Sequence, residues 1–286
     1  MVTGHPAKRD GGGEGVLAKL ANGGFVELLD LKNRVALVTG STSGIGFRIA
    51  EALAKRGARI ALNGRNAGTG AEAIKRLPST GSMHIFEAGD AANYEEISRV
   101  IAAVETRLGA LDILVSSGGW VRPGPTPFHE LHPDDFLKAF AGRFLPRVFP
   151  VHAALPGMRE RQSGSIVLVT TDAGRHPTPG EALIGSTGAA TILMTKAMAK
   201  EFSRWKIRVN CISLTLTSDT PRYDEIFSRQ SFENKLFSKA LSRFPFGRAP
   251  NAEEVAQVAA FLASDQASQV TGQTISVNGG LSYGGW

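Results

Sequence analysis

The 286-residue chain has a single cysteine, Cys211. A lone thiol excludes an intramolecular disulfide framework, so the core alone must hold the fold, and it suits a reducing compartment such as the cytoplasm. Tyrosine is almost as scarce, with three in all, Tyr94, Tyr223 and Tyr283. No apolar run approaches the ~20 residues that span a bilayer. The first residues lack the continuous apolar stretch of a secretory signal. No membrane attachment is therefore expected. Runs of five basic residues are also absent, although Lys and Arg total 32 against 26 acidic residues, a formal net charge of +6. An excess without a basic run or a recognition motif argues against nucleic acid and is compatible with phosphate-bearing small molecules. His129 and His132 flank Glu130, but no third ligand follows at metal spacing, so no metal is expected.

The hydrophobic fraction is 42%, enough for a real core in a chain of this length. Residues 1–24 hold seven glycines and little periodicity, and read as a flexible leader. Phe25–Leu31 reads as a short helical turn packed on one domain, 25–286. From Arg34 onward, strand-like runs at Val35–Val38, Arg59–Leu62, Met83–Phe86, Leu111–Val115, Ser165–Val169, Arg208–Ile212 and Thr274–Val277 alternate with helical stretches. The helices fall near 45–56, 93–108, 133–160, 181–204 and 252–263. Uninterrupted apolar strands separated by helices predict a parallel sheet covered on both faces. Residues 213–250 lack a clear strand and read as a lid with one short helix near 223–240. Pro146 and Pro150 fall inside the 133–160 helix, where each removes an N–H and kinks the chain.

The first strand runs into Thr39-Gly40-Ser41-Thr42-Ser43-Gly44-Ile45-Gly46, and a helix follows. Gly40 permits a tight turn, Gly44 lets backbone approach a pyrophosphate, and Gly46 lets the helix pack closely. The helix N-terminus then offers free N–H groups and a partial positive charge. The second strand ends Leu62-Asn63-Gly64-Arg65, with no carboxylate to bind a ribose 2′-hydroxyl and a cation able to pair with a phosphate. That pattern favours NADP over NAD.

With this turn in place, the chain resembles the short-chain dehydrogenase/reductase family over about residues 32–282. Further motifs carry the resemblance: Asp90, Leu111–Val115, Ala153–Met158, Arg208-Val209-Asn210, Thr271-Gly272-Gln273 and Asn278-Gly279-Gly280. The resemblance implies one doubly wound α/β Rossmann domain, with seven parallel strands in the order 3-2-1-4-5-6-7. It also implies a nicotinamide dinucleotide, held by Gly40 to Gly46 and by Arg65, Asp90, Ser117 and Gly118. The family reduces or oxidises a carbonyl/alcohol pair with a Ser, a Tyr, a Lys one helical turn later, and an Asn.

Here those four places hold Thr171, Ile184, Gly188 and Arg143. Threonine keeps a hydroxyl, but isoleucine carries no proton and glycine no charge. Arg143 and Thr171 are the remaining catalytic candidates, with Asp172, His176 and Thr187 near the same mouth. Tyr94 belongs to a distant helix, whereas Tyr223 lies in the lid and could reach in. The expected reading is a homologue that binds NADP(H) with atypical or no hydride transfer. The alternatives are a working ketone or hydroxyacyl oxidoreductase with relocated acid/base groups, and a non-catalytic subunit of an active relative. Asp219-Thr220-Pro221 and Pro245–Arg248 resemble members acting on acyl thioesters. Small and apolar residues on 181–204 (Ala182, Ala189, Ala190, Leu193, Ala197) predict a homo- or hetero-oligomer.

Overall fold

The computed structural model describes residues 30–283. The leader 1–24 and all but the end of the expected turn at 25–31 lie outside the described residues. Seven parallel strands form one sheet in the order β3-β2-β1-β4-β5-β6-β7. They are β1 Val35–Thr39, β2 Arg59–Gly64, β3 His84–Ala88, β4 Ile113–Ser116, β5 Gly164–Thr171, β6 Ile207–Leu214 and β7 Thr274–Val277. The helices are α1 Gly44–Lys55, α2 Ala67–Arg76, α3 Tyr94–Leu108, α4 Asp134–Arg143, α5 Leu145–Arg161, α6 Ala182–Phe202, α7 Pro221–Phe227, α8 Phe232–Leu241 and α9 Ala252–Ala263.

Alternation along each strand sends its side chains to two separate cores. Ala36, Val38, Ile60, Leu62, Val167 and Val169 pack beneath α1 and α9. Val35, Leu37, Ile166, Leu168 and Cys211 pack on the other face, beneath α3, α5 and α6. Burial on both faces explains why these strands read as unbroken apolar runs. The Cys211 thiol is fully enclosed, and burial pushes its pKa up to about 12.

Four readings need correction. Helix α2 was not foreseen, because Ala-Gly-Thr-Gly gives it little apolar periodicity. It starts because the Asn66 side chain accepts from Thr69 N at 3.0 Å and caps it. The expected 133–160 helix is two helices divided at Phe144. Pro146 lies in the first turn of α5 and not in an interior, and Arg143 O accepts from the Arg147 side chain. Pro150 is interior, and the carbonyl its missing N–H would have bonded, Pro146 O, accepts from Ser116 Oγ at 2.8 Å. The proline thus ties α5 to the end of β4. The lid is shorter at its start, since β6 extends to Leu214, and it holds two helices, with Ser231 capping the second. Its own small core joins Leu216, Ile226, Phe244 and Ala249. Finally, Ala182–Trp205 is long and apolar enough to cross a membrane by length and composition, with mean hydropathy 1.2. In this fold it packs on β5 and β6 and buries Ile192, Met198 and Phe202 in the core.

Candidate functional site

Strand order reverses between β1 and β4, so the loops leaving their C-terminal ends part and leave a crevice. The glycine turn forms one side. Gly40 has φ +62°, and a Cβ there would stand 2.7 Å from Gly118 Cα. Gly46 would drive a Cβ into Gly40 O. Gly44 differs: its φ is +56°, yet the nearest atom to a Cβ is Pro221 Cδ at 3.8 Å. A methyl there would meet only ordinary contacts, and Gly44 lines the cavity over the turn. Ser43, the N-cap of α1, is exposed and makes no capping bond, and the first turn has no acid. The first N–H groups of α1 therefore face that space without a side-chain acceptor.

Not every residue of the turn faces outward. Ser41, expected among the ligand contacts, turns inward. Its Oγ donates to Val38 O at 2.6 Å, within the end of β1, and its N–H donates to Asn63 O at 3.0 Å, which ties the turn to β2, so both donors are committed. Thr42 lies against Gly64, and Ile45 lines the crevice. Arg65 is exposed just past β2, with no hydrogen bond or ion pair among the described residues. Asp90 uses one carboxylate oxygen to accept from Ala92 N at 2.9 Å. Across the crevice, Thr39 Oγ1 accepts from the N–H groups of Ser117 and Gly118 at 3.2 and 3.4 Å, which fixes the loop after β4.

The opposite half is built around the start of α6. A cavity of about 650 Å³ lies under the lid, within the size range of small-molecule sites. It adjoins one of about 400 Å³ over the glycine turn. The larger cavity brings together Thr171, Ile184, Arg143, Asp172, Thr187 and Tyr223. Gly188 does not open a space there. A Cβ on it would lie 2.7 Å from Thr171 Cγ2, so the threonine methyl occupies what a longer side chain at 188 would need. Thr171 Oγ1 accepts from Ala173 N at 3.2 Å and keeps its proton available. Thr187 Oγ1 donates to Ile184 O at 2.9 Å within its own helix.

Asp172 is a buried anchor. It accepts from Ser213 Oγ at 2.8 Å, Ser276 Oγ at 2.6 Å, Asn278 Nδ2 at 2.7 Å and Ser282 Oγ. Burial opposes its charge, but these four donors hold its pKa below the usual carboxylate value. It joins β5, β6, β7 and the C-terminal loop. Tyr94 stands apart, with its hydroxyl 2.7 Å from His152 Nδ1. His129 and His132 are exposed beside Glu130 and Asp134.

Arg143 is only 6% exposed. Its Nη2 donates to Val121 O and, at 2.6 Å, to Pro123 O, so it holds the loop after β4. Two further members of this site escaped the sequence reading. Arg147 lines both cavities and donates from Nε to Val169 O at 2.6 Å. Val169 lies one residue beyond the last β4 pairing, where its carbonyl has lost its strand partner. Glu181 lines the lid cavity, and burial raises its pKa to about 7. The available signal was spacing: Arg147 is one helical turn after Arg143, and Glu181 is three residues before Ile184.

This architecture, a seven-stranded parallel sheet with a glycine turn at the crevice between β1 and β4, defines a doubly wound dinucleotide-binding fold. A family model described as enoyl-(acyl carrier protein) reductase matches residues 40–282, and the chain belongs to the short-chain dehydrogenase/reductase family. It is 35% identical over 250 residues to an acetoacetyl-CoA reductase of Rhizobium meliloti, covering 87% of this chain and 98% of the relative. It is 32% identical over 255 residues to the 3-oxoacyl-[acyl-carrier-protein] reductase FabG of Thermotoga maritima, covering 88% and 98%. A solved short-chain dehydrogenase/reductase from Mycobacterium ulcerans superposes with a TM-score of 0.82 at 28% identity, covering 88% of this chain and 91% of that one.

Proposed function

We propose that the chain binds NADP(H) through the glycine turn and lacks the ordinary hydride-transfer machinery of its family. The residues fit the dinucleotide. The cavity lined by Gly44 and the uncapped start of α1 suit a pyrophosphate. The unpaired Arg65 suits a 2′-phosphate, and Asp90 suits an adenine edge. A bound nicotinamide would supply or accept the hydride. The chain itself would place a substrate carbonyl near the Thr171 hydroxyl, but at Ile184 it has no proton to give or take.

The single observation that carries the reading is the contact that a Cβ on Gly188 would make with Thr171 Cγ2 at 2.7 Å. The lysine place is filled as well as empty of charge, so the site is rebuilt rather than merely depleted. Calorimetry tests the cofactor half: NADPH should bind more tightly than NADH, and Arg65→Ala should narrow the gap. Equal affinities, or no binding of either, would overturn it.

A second reading, a working oxidoreductase with a relocated acid, draws on Tyr223 and Glu181 in the lid cavity. Its substrate would be a small carbonyl or alcohol, with acyl thioesters suggested by the names of the relatives. Self-association, or pairing with an active relative, is supported by an exposed apolar face. Leu137 on α4 is 79% exposed and Leu193 on α6 is 64% exposed. Light scattering that finds a monomer at micromolar concentration would refute the assembly.

A further inference from the structure

The lid cavity has a charge arrangement that the cofactor reading does not use. Arg143 and Arg147 stand one helical turn apart across the α4–α5 break, and both line the cavity. Among the described residues neither has a carboxylate within ion-pair distance. Arg143 meets only the carbonyls of Val121 and Pro123, and Arg147 only those of Val169 and Arg143. The Arg143 Nε is buried with no hydrogen-bond partner. Burial pulls both guanidinium pKa values down to about 10, and Arg147 is lowered further by Arg143 itself. An isolated buried cation is costly, and two adjacent ones are more so. Folds retain such groups when something pairs with them.

The acids nearby are spent or yielding. Glu233 is held by Arg222 in an ion pair between α7 and α8, and Arg222 also pairs with Glu225 at 2.7 Å. Glu181, at the start of α6, is more than ion-pair distance from Arg143, accepts from Thr178, and with a pKa of about 7 is half-protonated near neutrality. It can give up its charge when another anion arrives.

We propose that Arg143 and Arg147 form an anion site on the substrate side of the cavity, which takes the carboxylate of a small ligand. Arginine suits this, because its fork matches a carboxylate and stays charged when buried. Arg143 lines only the lid cavity, whereas Arg147 lines that one and the one over the glycine turn, so competition with NADPH decides whether this anion is distinct from the cofactor phosphates. The inference does not depend on NADP(H) binding. Glu181 faces Arg143 and Glu233, and its deprotonation places a competing charge beside the site.

The test is calorimetry on the full chain with malonate, and with its neutral counterpart malonamide, in the absence and presence of saturating NADPH. Malonate should bind at millimolar concentration or tighter, with and without NADPH, and malonamide should not. Arg147→Met and Arg143→Gln should each weaken malonate at least about tenfold, with a thermal melt confirming the fold. Should either variant unfold, the malonate/malonamide contrast on the unmodified chain still decides. Equal binding of the two compounds, or no malonate binding, overturns the proposal. Displacement of malonate by NADPH also overturns it and assigns the anion to the cofactor. A failure of NADPH to bind while malonate binds would refute the cofactor reading and leave this one standing.

Discussion

Glycines crowd both ends of the cleft, and one of them differs from the rest. At the turn after β1, Gly40 and Gly46 are held by the protein's own packing, while a Cβ on Gly44 would meet only an ordinary contact, Pro221 Cδ at 3.8 Å. At the start of α6, Gly185 would press a Cβ to 2.7 Å from Ala173 O, Gly188 to 2.7 Å from Thr171 Cγ2, and Gly174 to 2.6 Å from Ala189 N. There the missing side chains let a helix close on a strand end. Only Gly44 both has room for a methyl and lines a cavity, where the proposed reading places a pyrophosphate; at the other end Thr171 stands against the position that the resemblance assigns to lysine. Residue type alone does not single out Gly44; the distance to its nearest neighbour does.

The sharpest break of this comparison is at the turn. Gly40→Ala combines a left-handed φ with a backbone collision, so a loss of about 3 kcal/mol of stability is expected. Dinucleotide binding should be lost with it, as measured by denaturant melts and calorimetry. Gly44→Ala, with room for the methyl, should cost only about 1 kcal/mol through its φ and yet weaken the cofactor.

At the other end, Gly188→Lys should destabilise by about 2 kcal/mol through overpacking. Thr171→Ser removes the contacting methyl and should recover part of that loss in the double variant. A chain in which Ile184→Tyr and Gly188→Lys restore both turnover and full stability would show that the helix is not closed as described.

A smaller effect separates the halves by pH. Glu181 has a folded-state pKa of about 7 against an ordinary 4.5. A raised pKa means the folded chain holds the proton more tightly. Its contribution to stability is full below pH 4.5 and is lost as pH rises through 7. Glu181→Gln should therefore be more stable than the parent by about 2 kcal/mol near pH ~8, with no such gain near pH ~4. A constant difference across that range would contradict the assignment. The smallest effect belongs to Arg65→Ala, which should cut the preference for NADPH over NADH by roughly tenfold, about 1.4 kcal/mol, with melting temperature unchanged because Arg65 is exposed.

The sheet was legible because buried parallel strands leave unbroken apolar runs, and all seven, in the order the resemblance implied, stand in the structure. The turn was legible because its glycines carry a fixed spacing. Helix α2 was not, since a cap at Asn66 starts it rather than periodicity. The division at Phe144 was hidden because the bond from the Arg147 side chain to Arg143 O forms only once folded. The inward turn of Ser41 and the closure of Gly188 on Thr171 are three-dimensional contacts between segments far apart in sequence. The Arg143–Arg147 pair is a further case: its lack of counter-ions becomes visible only when every neighbour has a position.

The central claim is that cofactor binding and hydride transfer have come apart in this chain. Rapid mixing of the full, unmodified chain with NADPH and a small ketone reads both at once. Cofactor fluorescence reports binding, and loss of the reduced nicotinamide absorbance reports transfer. General acid catalysis contributes roughly 100- to 10,000-fold, and on the proposed reading isoleucine at 184 removes that contribution. The fluorescence should change and saturate while the absorbance stays flat. Saturable binding followed by rapid loss of absorbance would contradict the account, and Tyr223, Thr171 and Glu181 would then be the residues to replace in search of the acid.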